Sequence, residues 1–115
     1  MLTAVSPTTG EIVREVNADY DSVVERKLAQ AASAFESWRR TSFDERAELL
    51  RAVATHMREN VSTLAPIMTE EMGEPIREAR GEVEKAAWCA EHYAAHAEEY
   101  LAPQVIASDA TRSYV

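Results

Sequence analysis

A chain of 115 residues has room for at most one compact domain, and with 46% hydrophobic residues but only two Trp, four Tyr and two Phe its core is expected to be thin. Twenty acidic against twelve basic residues give a net charge of −8 with no cationic cluster, which argues against nucleic acid or an anionic membrane surface as partner. The single cysteine, Cys89, excludes an internal disulfide, and no apolar run reaches the roughly 20 residues of a membrane span, so the expectation is a soluble protein of the reducing cytoplasm. Met1–Gly10 carries neither the basic start nor the apolar stretch of a secretory signal.

Leu2–Val5 and Glu11–Val16 alternate as strands do, and Ser6-Pro7-Thr8-Thr9-Gly10 between them has proline early and glycine late, as a tight reversal requires. A hairpin is expected. Asp19 is placed to cap a helix from about Tyr20, with Val24, Leu28, Ala31, Ala32, Phe35 and Trp38 on one face. Ser42-Phe43-Asp44-Glu45 reads as a capping box opening a second helix, with Leu49, Leu50, Val53, Ala54 and Met57 inward.

Arg58-Glu59-Asn60 offers a break. A third helix then starts afresh at Asn60 or Ser62, leaving Pro66 within its first one to two turns, with Val61, Leu64, Ile67, Met68 and Met72 as its stripe. Gly73 suits the C-terminal cap and Pro75 the first position of the next helix. That fourth helix runs from Ile76 to about Leu101, with Ile76, Ala79, Val83, Ala86, Ala90, Tyr93, Ala97 and Leu101 on one face, and Pro103 ends it. The last five residues, 111–115, read as a strand start that wants a continuation or a partner. The expected class is mainly α, about four helices with an N-terminal β-hairpin and a C-terminal strand start. The expected organisation is one partial domain: hairpin 1–18, helices 19–102, linker and strand start 103–115.

No set of residues here reads as an active site. Cys89, His92, His96 and Glu99 fall on one helical stripe opposite Val83 and Ala90, but ligands from a single helix rarely close a tetrahedral shell, so the stripe is expected to be a polar outer face. Cys89 and His92 lack an orienting group and an oxyanion hole, which makes a packed thiol the better reading. Glu70-Glu71, Glu82 with Lys85, and Glu98-Glu99 have the spacing of solvated helix surface and weak ion pairs. Gly10, Gly73 and Gly81 are the only glycines, too scattered for a dinucleotide fingerprint or a phosphate loop. Trp38 and Trp88 read as packing anchors. Catalytic, cofactor-binding and metal-binding residues are all expected to be none.

In order, Ser6-Pro7-Thr8-Thr9-Gly10-Glu11, Ala31-Ala32-Ser33-Ala34-Phe35-Glu36-Ser37-Trp38, Glu45-Arg46-Ala47-Glu48-Leu49-Leu50, Glu70-Glu71-Met72-Gly73-Glu74-Pro75 and Ala79-Arg80-Gly81-Glu82-Val83 resemble the opening of the aldehyde dehydrogenase family. The set is most similar to the succinate-semialdehyde branch, where Glu82-Val83-Glu84-Lys85-Ala86-Ala87-Trp88 leads to Tyr93-Ala94 and Arg112-Ser113-Tyr114-Val115. The resemblance spans essentially the whole chain. Glu74 departs from it, since family members usually carry lysine there.

The resemblance implies the N-terminal part of an α/β dehydrogenase fold. It implies a parent enzyme that oxidises an aldehyde, succinate semialdehyde being the expected one, through a cysteine thiohemiacetal, with hydride transfer to NAD or NADP and hydrolysis assisted by a glutamate. In the family those groups lie downstream of this segment, and Cys89 matches none of them, so residues 1–115 alone are expected to be catalytically incompetent and to bind no cofactor. Expected partners are the remainder of a dehydrogenase chain, or self-association through exposed helix faces. Two other functions compete: a stand-alone helical interaction module, and, ranked last, a small metal enzyme built on the Cys89–His96 stripe.

Overall fold

A computed structural model describes all residues, 1–115. Strands β1 (Leu2–Val5) and β2 (Ile12–Val16) form an antiparallel hairpin with a register irregularity between Ala4 and Val5. Its turn is held locally: the buried Ser6 Oγ accepts from the Thr8 and Thr9 amides, and the Gly10 amide donates to the Ser6 carbonyl at 2.8 Å. Gly10 sits at φ 75°, where a residue without Cβ is unstrained.

Four helices follow, α1 (Asp21–Trp38), α2 (Phe43–Glu59), α3 (Val61–Met72) and α4 (Ile76–Tyr100). The N-cap of α1 is Tyr20 with no side-chain cap, because Asp19 instead forms an ion pair with Lys27 on the second turn of α1. Helix α2 opens with the complete capping box: Glu45 N–H donates to Ser42 Oγ at 3.1 Å and Ser42 N–H donates to Glu45 Oε2 at 2.7 Å. Helix α3 does start afresh after Asn60, with Pro66 as its sixth residue; the Ser62 carbonyl it leaves without an amide donor belongs to an exposed residue that water can reach. Gly73 caps α3 at φ 75°, and Pro75 stands one residue before α4, its carbonyl accepting from the Glu78 and Ala79 amides.

The packing is narrower than the apolar stripes suggest. Helix α4 lies along α2 and, through its first turns, against α3, and the buried apolar residues are small: Ala47, Ala54, Ala65, Ala79, Val83 and Ala87. Alanine at these positions lets helix axes approach closely but contributes little apolar area. Of the inward set expected on α2, Ala54 is buried and Leu50 and Met57 are half-buried, while Leu49 and Val53 remain exposed. On α4 the buried positions are Ala79, Val83 and Ala87 rather than Ala86, and Ile76, Tyr93 and Leu101 stay exposed. Helix α1 buries no residue and packs along no other helix.

The tail finds a partner within the chain. Tyr114 bridges to Val105, Gln104 and Val115 exchange backbone hydrogen bonds of 2.9 and 3.0 Å, and Ile106 N–H donates to Ser113, so residues 104–115 close as a small antiparallel ribbon.

The whole is elongated, 65 × 40 × 26 Å, with a radius of gyration of 20.5 Å. A compact domain of this length would have about 13 Å. Its accessible surface of 9386 Å² is about half again the roughly 6,300 Å² expected of a compact monomer of its mass.

Candidate functional site

Two side-chain constellations and one groove are the places where chemistry could reside. On α4, His92 and His96 come together with ring centroids 4.7 Å apart. The third member is Tyr100, not Cys89 or Glu99: its hydroxyl is 2.8 Å from His92 Nε2 and its ring stacks on His96 at 5.9 Å. Glu99 Oε2 lies 3.7 Å from His96 Nδ1, while Cys89 is an exposed free thiol. No three side chains among His, Cys, Asp and Glu converge to hold a metal ion. The cluster is an aromatic stack along one helix edge, extended by Trp88 at 6.3 Å and Tyr93 at 5.6 Å from His92.

The second constellation joins α2 to α4. Arg58 donates through Nη1 and Nη2 to both carboxylate oxygens of Glu91, at 2.5 and 2.8 Å, and through Nε to Glu84 at 3.1 Å. This fork-to-fork pairing fixes orientation as well as charge. The hydrogen bonds from Arg58 hold the Glu91 carboxyl below its usual range, and those to Glu91 and then Glu84 push the Arg58 guanidinium further up. The backbone hydrogen bond from Ser42 likewise lowers Glu45, and the hydrogen bond to Glu82 raises Lys85, with Glu74 adding a weaker attraction. These are surface ion pairs and a helix cap.

The groove is apolar. Met57, Leu64, Ile67, Met68, Val83 and Ala86 line an open trough of about 390 Å³ between α2, α3 and α4, and a neighbouring trough along α2 shares Met57 and Leu64 with it. Apart from Glu82 at its margin it offers no polar group to orient a substrate. The three glycines do not build a dinucleotide site either: Gly10 is in a hairpin turn, Gly73 ends α3, and Gly81 lies inside α4, so none opens a helix against a phosphate.

Sequence reasoning singled out the Cys89–His96 stripe and passed over Arg58 and Tyr100. Glu84 and Glu91 are seven residues apart on one face of α4, a signal that they could share one cation, but which cation depends on how α2 and α4 cross.

The hairpin and helices thus form an elongated layer with an apolar trough open between α2, α3 and α4. The aldehyde dehydrogenase family model matches residues 1–115, and the chain belongs to that family. It is 36% identical over 114 residues to a Synechocystis sp. PCC 6803 protein named probable succinate-semialdehyde dehydrogenase (NADP(+)), covering 99% of this chain and 25% of that protein. It is 38% identical over 93 residues to the succinate semialdehyde dehydrogenase (NAD(P)+) of Escherichia coli K12, covering 81% of this chain and 20% of that protein. The crystal structure of succinic semialdehyde dehydrogenase from Streptococcus pyogenes, in complex with NADP+, superposes on 97% of this chain with a TM-score of 0.87 and 30% identity, and 25% of that structure is covered. The chain thus spans about a quarter of the length of the relatives it matches. No helix is long and apolar enough to cross a membrane.

Proposed function

We propose that residues 1–115 are the amino-terminal structural segment of an NADP-dependent aldehyde dehydrogenase of the cytoplasm whose substrate is succinate semialdehyde. The observation that carries this is the excess of accessible surface: 9386 Å² on a chain whose whole length aligns with only a quarter of its dehydrogenase relatives. The segment's part in the enzyme is packing. Its apolar trough and the stripe of α1 are covered by the remainder of the dehydrogenase chain, and in isolation the same faces drive self-association.

Residues 1–115 supply no nucleophile, base or cofactor ligand to the reaction. The nicotinamide cofactor accepts hydride when bound, and the residues that bind it and attack the aldehyde lie in the rest of the enzyme. The substrate and cofactor assignments rest on the relatives' names and on the NADP+ in the Streptococcus pyogenes structure.

The test is reduction of NADP+ with succinate semialdehyde as substrate, measured on the product of the complete reading frame and on residues 1–115 alone. The expected result is turnover by the first and none by the second. Turnover by residues 1–115 alone, or a complete product that ignores succinate semialdehyde and oxidises another aldehyde, would overturn the corresponding part of the proposal.

A further inference from the structure

We draw no further inference here: the strongest candidate, the apolar trough that Met57, Leu64, Ile67, Met68, Val83 and Ala86 line between α2, α3 and α4, belongs to the face already assigned to the remainder of the dehydrogenase chain, and nothing in the structure shows what covers it.

Discussion

A Cβ built on Gly73 would lie 2.7 Å from Cγ of Pro7, so the hairpin turn rests directly on the backbone that ends α3. The ion pair between Arg14 and Glu71, at 3.6 Å, lies beside it. Gly73 is needed twice over, for its positive φ and for that approach. Gly73→Ala is expected to destabilise the protein by about 2 kcal/mol, the cost of a non-glycine residue in the left-handed region together with a displaced turn. Gly81→Ala is the control: nothing lies within 4 Å of its Cβ position inside α4, and a gain of about 0.5–1 kcal/mol is expected there. Chemical denaturation of both variants in the complete product measures the difference.

Ser42→Ala removes the acceptor for the Glu45 amide and is expected to lower stability by about 1 kcal/mol, as loss of a side-chain N-cap does. The same cap carries a pH dependence. Because the Ser42 backbone hydrogen bond lowers the Glu45 pKa in the folded chain, its contribution is fully present above the ordinary value of 4.5 and fades as pH falls through the lowered folded value. Thermal melts across acid pH should show that loss in the parent chain and a shallower one in Glu45→Gln.

Arg58 and Glu91 should behave as one unit. Glu91 is also lowered by its partner, so the pairing contributes above pH 4.5 and is lost on acidification below it. In a double-mutant cycle with Arg58→Ala and Glu91→Ala, the coupling is expected to be favourable and to shrink as salt is raised, because both side chains are partly exposed. Arg58→Lys should recover only part of it, since an ammonium cannot meet both carboxylate oxygens at once. A coupling independent of salt would contradict the geometry.

Cys89 is exposed and joins neither the histidine–tyrosine stack nor any polar network. Cys89→Ser in the complete product is therefore expected to leave dehydrogenase turnover unchanged and stability within about 0.5 kcal/mol, the range of ordinary surface substitutions. A large loss of turnover would place this thiol in the reaction.

The secondary structure was readable because its signals are local. The capping box at Ser42 and Glu45, the glycine cap at Gly73 and the proline–glycine turn at Pro7 and Gly10 each depend on a few neighbouring residues, and each forms as its spacing predicts. Asp19 failed as a cap because Lys27, eight residues on, competes for the carboxylate. Burial was far less readable. Leu49, Val53, Phe35 and Trp38 have core-like spacing, yet they stay exposed, because periodicity marks the face a helix can bury and does not supply the element that covers it. The terminal strand start likewise looked unpartnered, although Gln104–Ile106 lies within reach across a short turn. The Arg58 attachments are tertiary: the spacing of Glu84 and Glu91 offers a site for a cation, and only the crossing of α2 and α4 selects Arg58 for it.

Whether residues 1–115 are one layer of a larger enzyme is tested most directly by the intact mass of the natural gene product under denaturing conditions. A mass about four times the 12.8 kDa of this segment is expected, matching relatives of which it covers a quarter. A natural product of 12.8 kDa would contradict the account, because the apolar faces of α1, α2 and α3 would then have no dehydrogenase to cover them.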